Sequence, residues 1–319
     1  MNKYISRLML ISLSIAITLA ACAPTDATFP SKSINIVVPW KAGGGTDALA
    51  RSLAREASKV FGVAVNVINR SGGSGTVGHT YGMKARPDGY TVTMITYELC
   101  SYKPLGRAPI DDTNFKTLMQ LNQDPAAITV KSDSEWKTFD DFLKYAKAHP
   151  KKITIGNSGP GAVWHLGAVK LENLANVKFT HIPHEGASPA VAQLAGGHLS
   201  AVAVSPAEVL QFVQSGDLRC LAVMSDKRST NLADVPTFKE LGLDLVHATW
   251  RGLAVPKNTP EPIVKQLEEG FKKAFDSPAF QETAQKMMLG LHYRNSEDFS
   301  AFLHSESQSI AELIKGLDL

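Results

Sequence analysis

The chain of 319 residues has few cysteines, no low-complexity tract and little net charge of either sign. Its 33 Lys and Arg stand against 30 Asp and Glu, so the formal charge is only +3. That balance excludes the basic footprint of a nucleic-acid-binding protein. No unit repeats at a fixed period, which excludes a solenoid. What remains, 44% apolar and 20% charged residues, is typical of an ordered globular protein of one or two domains.

A membrane-spanning run is missing at the N-terminus. The apolar run from Leu8 to Ala21 has 14 residues, whereas a spanning helix needs about 20. Lys3 and Arg7 precede it, which is the pattern of a signal peptide. The run ends Ala-Ala-Cys at Cys22 and resembles the lipobox of bacterial lipoproteins, in which the cysteine is acylated. We predict a lipoprotein signal peptide over residues 1–21, with an ordinary cleavage site as the alternative.

The segment that follows the signal peptide is polar. The polar composition of residues 22–31 predicts a tether that holds a folded body away from a membrane. If Cys22 carries lipid, only Cys100 and Cys220 remain, and two cysteines do not make a disulfide framework. We expect both as small buried residues, with a disulfide between them as the alternative. The predicted location is the periplasm, at the membrane surface, or the cell surface if the host has one membrane.

Strand and helix patterns alternate along the first part of the mature chain. Ile34 to Val38 is a short apolar run, and apolar residues then recur at helical spacing from Leu49 to Val60. Further strand patterns lie at Val63 to Val67 and at Tyr90 to Thr96. This βαβαβ order predicts a parallel sheet with helices on both faces.

The pattern restarts in the middle of the chain. We predict strands over residues 126–130, 153–156, 178–182, 201–204 and 219–223. Helices are predicted over residues 138–148, 162–174, 189–194 and 206–214, with helix over nearly all of the last 60 residues. Thr138 and Asp141 make a capping box for the first of these helices. Two α/β lobes fit this length and pattern best.

Two glycine loops, each between a strand and a helix, are the candidate binding features. The first loop comprises Ala42, Gly43, Gly44, Gly45, Thr46 and Asp47, and the second comprises Ser158, Gly159, Pro160 and Gly161. Backbone amides at such helix starts can approach an anion closely, although glycine also occurs at such turns for conformational reasons alone. Neither loop contains Lys or Arg, so a carboxylate is a better candidate than a phosphate. Asp47 is either a helix cap or a ligand contact.

Other motifs lack the context that they need. Gly73 to Gly78 matches the dinucleotide fingerprint G-x-G-x-x-G, but it follows the second strand and no acidic strand end comes after it. The glycine loops lack the endings of a P-loop and of a nucleophile elbow. A metal site could be sought in His181, His184, Glu185 and His198. However, three-residue spacing on an extended segment, as between His181 and His184, turns the side chains to opposite faces. We therefore predict no metal and no cofactor.

The motifs taken together resemble those of one family. Phe29 to Lys32 followed by Ile36 to Asp47 resembles the N-terminal signature of the Bug-type periplasmic binding proteins of tripartite tricarboxylate transporters. Further matches follow in chain order: Asn69 to Gly72, Pro87 to Thr91, Gly159 to Gly161 with His165, Lys227-Arg228, Asp234 to Thr237, Trp250 to Leu253 and Pro256 to Pro260. The resemblance covers about residues 29 to 315.

The resemblance implies a fold and a function. The fold would be the type II, two-lobed α/β architecture that closes like a Venus flytrap, with two crossovers. One lobe would comprise residues 32–126 with 250–319, and the other residues 127–249. Such proteins are receptors, not enzymes, and bind a small organic acid, as monomers, for delivery to a membrane transporter of two subunits. Backbone amides and ordered waters of the two glycine loops hold the carboxylate.

A third ligand-binding segment of the family aligns with His184, Glu185 and Gly186. A tyrosine is usual where this chain has His184, and Glu185 adds a negative charge, so a ligand with a donor or an ammonium group stays open. Ser205 stands near a position that often carries aspartate. Two other functions stay open as well: a sensor for a signalling receptor without a transporter, and an exported enzyme that uses His184, Glu185 and Asp47 as acid or base.

Overall fold

A computed structural model describes residues 29–228 and 232–315. The predictions of a signal peptide and of lipid on Cys22, with most of the tether, lie outside the described residues. Residues 1–31 form a separate unit, of which the described residues 29–31 contain no helix or strand. Within the described ranges, no helix is long and apolar enough to cross a membrane. All that follows concerns the unit from residue 32 onward.

The described residues of this unit form eleven strands in two sheets. The strands are β1 (Ile34–Val38), β2 (Val65–Asn69), β3 (Thr91–Thr96), β4 (Phe115–Pro125), β5 (Ala127–Lys131), β6 (Thr154–Asn157), β7 (Thr180–Pro183), β8 (Ala201–Val204), β9 (Leu218–Val223), β10 (Ala248–Pro256) and β11 (Leu291–Arg294). The first sheet has the order β11-β4-β10-β3-β1-β2, and the second has the order β7-β6-β8-β5-β9.

Nine α-helices pack around these sheets in the described residues. They are α1 (Gly45–Phe61), α2 (Thr76–Met83), α3 (Phe139–Ala148), α4 (Val163–Ala175), α5 (Ala187–Ala195), α6 (Pro206–Gln214), α7 (Glu261–Phe275), α8 (Pro278–Lys286) and α9 (Ser296–Lys315). Short 3-10 turns lie at Gly73–Gly75, Tyr97–Cys100 and Asp112–Asn114. Helices α3 to α6 follow strands of the second sheet, and the other helices accompany the first.

The parallel pairing predicted from the first βαβαβ run is confirmed, but both sheets as a whole are mixed. In the first sheet β1 pairs in parallel with β2 and β3, but β10 runs antiparallel to β3 and β4. In the second sheet β6 is parallel to β7 and β8, whereas β5 is antiparallel to β8 and β9. Strands β5 and β10, which follow the two crossings between the sheets, run antiparallel to their neighbours, and so does the edge strand β11 against β4. A βαβ period describes only the strands on either side of them.

Most of the locally encoded elements are confirmed. Thr138 and Asp141 form the predicted capping box of α3. The apolar face of α1 is buried at Leu49, Leu53 and Ala57. Val60 lies on the same side of the helix but is 39% exposed, because it is in the last turn, beyond the residues that pack inward.

Three strands of the structure were not predicted from the sequence. Strands β4 and β10 carry buried polar residues, and β11 interrupts a region expected to be almost entirely helical.

Cys100 and Cys220 are both buried and free. This confirms the expectation of small buried residues and overturns the disulfide alternative.

Candidate functional site

The first glycine loop is held by a network of hydrogen bonds around Asp47. Helix α1 starts at Gly45, and its N-cap is Gly44, which has no side chain to cap the helix. Asp47 is therefore not the N-cap. Its buried carboxylate accepts hydrogen bonds from Gly43 N at 3.0 Å, from Arg51 Nε at 2.9 Å and from Asn69 Nδ2 at 2.9 Å. Asp47 thus folds the loop back on the helix and leaves the first amides of α1 uncapped.

These hydrogen bonds also set the charge of Asp47. Burial by itself would raise the pKa of this carboxyl, but the hydrogen bonds from Arg51, Gly43 and Asn69 lower it below its usual value. The carboxylate is ionised at neutral pH and is fully occupied with its own loop. It is a positioning residue, and it does not line the cavity described below.

The second glycine loop is held by neutral groups. Gly159 N donates to Asn157 Oδ1 at 3.1 Å, and Gly161 N donates to His165 Nδ1 at 3.0 Å. Burial, reinforced by the neighbouring His181, lowers the pKa of His165 to about 4. Because Nδ1 accepts a hydrogen bond from the neutral ring, the ring proton is on Nε2. His165 supports the loop from behind.

The second glycine loop lies against segments that connect strands of the first sheet. A Cβ atom on Gly159, at φ +100°, would lie 2.5 Å from Ser74 Oγ. A Cβ atom on Gly161, at φ +66°, would lie 2.2 Å from Leu105 Cδ1. Glycine is needed at both positions for its backbone angle and for this close approach.

A cavity of about 30 Å³ lies between the two sheets. This is room for only about one or two water molecules, so an organic acid can enter only when the two walls move apart. It is lined by residues from both sides: Trp40, Lys41, Gly44, Gly45, Thr46, Thr96, Glu98, Ser158, Val163, Trp164, Glu185, Gly186, Ala187, Ser188, Pro189, Glu208, Thr249 and Arg251. Helices α1, α4 and α5 all begin at this wall, and their N-caps Gly44, Ala162 and Gly186 provide no side-chain cap. The first N–H groups of a helix lack intrahelical partners, so the cavity is rich in donors.

The cavity brings together six of the fifteen predicted binding residues: Gly44, Gly45, Thr46, Ser158, Glu185 and Gly186. The other nine, which do not line it, are Ala42, Gly43, Asp47, Gly159, Pro160, Gly161, His165, His184 and Ser205. Ala42 and Pro160 are exposed. His184 is half-buried and its Nδ1 lies 2.9 Å from Ile182 O. Ser205 is fully buried as the N-cap of α6, and it orients Glu208.

Arg251 is a cavity residue that the sequence did not predict. It lies on β10, its side chain is 2% exposed, and it forms a buried ion pair with Asp124 of β4. Its Nε donates to Thr46 Oγ1 at 2.8 Å. The absence of basic residues from the loops therefore does not extend to the cavity. The only signal in the sequence was the family motif that contains Trp250 and Arg251.

Two buried carboxyls complete the wall. Glu98 follows β3, and its Oε1 accepts a hydrogen bond from Val163 N, the first amide of α4, at 3.1 Å. Glu208 on α6 has its Oε1 at 3.7 Å from Arg251 Nη2. Burial raises the pKa of both Glu98 and Glu208. At the rim, the exposed side chains of Lys41 and Glu185 pair at 2.9 Å.

The candidate metal ligands are committed to other contacts. His181 Nε2 lies 3.3 Å from Glu172 Oε1, and His181 Nδ1 lies 3.2 Å from Asn157 Nδ2. Over residues 29–228 and 232–315, no group of three His, Cys, Asp or Glu side chains is placed to hold a metal ion. One polar atom of the wall does lack a partner there: Ser158 Oγ is buried without a hydrogen bond.

The chain belongs to a family of solute-binding receptors. The family model of the tripartite tricarboxylate transporter family receptor matches residues 49–319, which confirms the resemblance drawn from the motifs. Its members are receptors and not a class of enzymes, and they place this protein in the periplasm.

Individual relatives agree with this assignment. A UPF0065 protein encoded in the gbd 5' region of Cupriavidus necator is 35% identical, over 100% of this chain and 98% of its own length. A TctC solute-binding protein from Polaromonas, solved without ligand, is 38% identical with a TM-score of 0.68, over 91% of this chain and 100% of its own. A protein of R. palustris solved with adipate is 25% identical with a TM-score of 0.84, over 90% and 98%. These structures confirm the predicted fold class.

Proposed function

We propose that this protein captures a small organic acid between its two glycine loops and delivers it to a two-subunit membrane transporter. The observation that carries the proposal is the convergence of three helix N-termini, from both sheets, on one cavity. None of the three N-cap residues provides a side-chain cap, although the first amide of α4 already donates to Glu98. Helix N-termini offer free N–H groups and a positive dipole end to a carboxylate. Ser158 Oγ is a further hydroxyl in the wall without a partner in the described chain. The adipate held by the R. palustris protein is a ligand of the expected class.

The binding motion in this proposal is closure of two lobes. Residues 32–126 with 250–319 form one lobe and residues 127–249 the other. The two crossing segments lie side by side, since Ala126 N donates to His247 O at 2.8 Å and Met224 N donates to Ala126 O at 2.7 Å. Segments paired in this way suit a hinge, because both can bend about one line.

The comparisons support a closed arrangement for this structure. The Polaromonas protein, which holds no ligand, reaches a TM-score of only 0.68 at 38% identity. The R. palustris protein, which holds adipate, reaches 0.84 at only 25% identity. A better fit to the less similar but ligand-bound protein is expected if the lobes of this chain are closed.

Anchoring belongs to the same proposal. The protein would stand at the periplasmic face of a membrane through lipid on Cys22, with residues 22–31 as the tether, and act as a monomer. Mass spectrometry of the mature N-terminus tests the lipid separately from binding.

The cavity is tested by filling it at Gly44. This residue has an ordinary backbone conformation, and a Cβ atom there would meet nothing closer than Lys41 O at 3.9 Å. Gly44→Val should therefore fold normally and block the cavity. Ala42→Val is the matched control, because Ala42 is an exposed residue of the same loop that does not line the cavity.

The measurement is a thermal-shift and calorimetric screen of organic acids on protein refolded free of ligand. A ligand at 100 times its dissociation constant stabilises the native state by about 2.7 kcal/mol. We expect this stabilisation for at least one carboxylate in the wild type and in Ala42→Val, and its loss in Gly44→Val. Equal affinity in Gly44→Val would place the ligand elsewhere and overturn the proposal.

A further inference from the structure

The charges that line the cavity do not balance. Five charged side chains line it: Lys41, Glu98, Glu185, Glu208 and Arg251. Lys41 and Glu185 neutralise each other at the rim, with Nζ and Oε2 2.9 Å apart. Arg251 is neutralised by Asp124, which lies behind it. The two carboxylates that remain, Glu98 and Glu208, have a formal charge of −2 in total, and both side chains are buried.

Glu208 shares its cationic partner, Arg251, with Asp124. Its Oε1 lies 3.7 Å from Arg251 Nη2, which is too far for a hydrogen bond. Arg251 is already bound to Asp124 and Thr46. The donors to the other oxygen, Oε2, are the amide and hydroxyl of Ser205, which are neutral.

Glu98 is in a similar position on the opposite wall. Its partners are the Val163 amide and the Thr96 hydroxyl, and both are neutral donors. Glu98 is 1% exposed, so bulk solvent does not reach it in this arrangement. A buried carboxylate with only neutral donors gains more from a positive partner than an exposed one, because the surroundings screen the charge less.

The same cavity also offers groups that suit an anion. The starts of α1 and α5 bring amides without a side-chain cap to it, whereas the first amide of α4 donates to Glu98. Ser158 Oγ is a buried hydroxyl without a partner in the described chain. The helix starts and Ser158 therefore favour a negative group, whereas Glu98 and Glu208 favour a positive one. A dicarboxylate with two negative charges would satisfy the first and add repulsion at the second.

We propose that Glu98 and Glu208 form an ammonium subsite, so that the preferred ligand is a zwitterion that carries a carboxylate and an ammonium group. The inference rests on the proposed function, because it takes the cavity to be the ligand site. The carboxylate binds at the helix starts and at Ser158, and the ammonium group donates to the two glutamates. Closure then buries no unpaired charge.

A competing arrangement uses the same residues. Burial raises the pKa of both glutamates, and a protonated carboxyl could donate to a second carboxylate of the ligand. Binding of a dicarboxylate would then take up protons from the buffer. This outcome is distinguishable from the ammonium subsite by calorimetry in two buffers that differ in ionisation enthalpy.

The experiment compares matched acids that differ by one amino group: succinate with aspartate, glutarate with glutamate, and adipate with 2-aminoadipate. Calorimetry at pH 7.5 uses refolded wild type, Glu98→Gln, Glu208→Gln and the rim control Glu185→Gln. We expect the amino acid of at least one pair to bind the wild type about tenfold or more tightly than its partner. Either buried variant should lose that preference, and Glu185→Gln should keep it. Thermal unfolding without ligand checks that each variant folds, and the wild-type preference decides the matter if one does not.

Three results would overturn the inference. Tighter binding of the dicarboxylates with proton uptake would establish the competing arrangement. A preference for the amino acids that survives in both Glu98→Gln and Glu208→Gln would place the ammonium group elsewhere. In both cases blockage by Gly44→Val would leave the proposed function standing. If none of the six compounds binds the wild type, the inference fails; if the wider screen of acids also finds no ligand, the proposed function fails with it.

Discussion

The two glycine loops occupy equivalent places in the two halves of the molecule but are stabilised by different chemistry. The first loop is closed by an ionised carboxylate, Asp47, that holds Gly43, Arg51 and Asn69. The second is closed by two neutral acceptors, Asn157 and His165. Similar donor-rich helix starts can thus be built with or without charge. The difference should appear in how the loops respond to substitution, to acid and to salt.

The largest difference should come from removing Asp47. Asp47→Ala leaves the Gly43 amide, the Asn69 amide and the Arg51 guanidinium without their shared acceptor. Breaking a buried charged interaction from one side costs about 3 kcal/mol. We expect the free energy of unfolding in urea to fall by about that amount.

The matched control for Asp47 is Asp244→Ala, because the Asp244 side chain is 87% exposed. It should change stability by less than about 0.5 kcal/mol. A loss of under about 1 kcal/mol in Asp47→Ala would mean that the carboxylate network does not hold the first loop.

Acid should separate the two loops. The pKa of His165 is lowered to about 4 from the usual value of 6.5, so between these values the unfolded state binds more protons than the folded state at this residue. The contribution of His165 to the free energy of unfolding is therefore fully present above pH 6.5. It is lost as the pH falls towards 4, by up to about 1.4 kcal/mol per pH unit. Asp47 has a pKa below 3.8, so its contribution is lost only at still lower pH.

The measurement is the pH dependence of unfolding in wild type and His165→Gln. A glutamine oxygen can still accept from Gly161 N, but it does not titrate. The variant should show a shallower slope between pH 4 and 6.5, while His79 and His247, whose pKa values burial lowers to about 4 and about 3, titrate in both proteins. Identical slopes would show that His165 is not held neutral in the folded protein.

Sequence reasoning succeeded where the determinants are local. Capping by Thr138 and Asp141 involves residues three apart, and glycine between a strand and a helix is visible within a few positions. Strand β4 was not predicted, because Gln120, Asn122 and Asp124 place buried polar groups where an apolar run would indicate a strand.

Long-range pairing explains the residues that were missed. Arg251 contacts Asp124, 127 positions away, and Thr46, 205 positions away. No periodicity or spacing connects such partners, so only the fold reveals that a buried cation lies beside the first loop. The same holds for Glu98, whose partner Val163 belongs to a helix of the other sheet.

The smallest difference concerns salt. Arg51 is about half exposed and pairs with the buried Asp47 at 2.9 Å, so its contribution is partly screened by solvent. Arg51→Gln should lower stability by about 0.5–1 kcal/mol at low ionic strength, and by less at 1 M salt, where the screening length is about 3 Å. His165→Gln should show the same stability difference from wild type at both salt concentrations, because neither side chain is charged at neutral pH. If salt affects both variants equally, the contrast between a charged and a neutral loop is wrong, and the two loops are held in the same way.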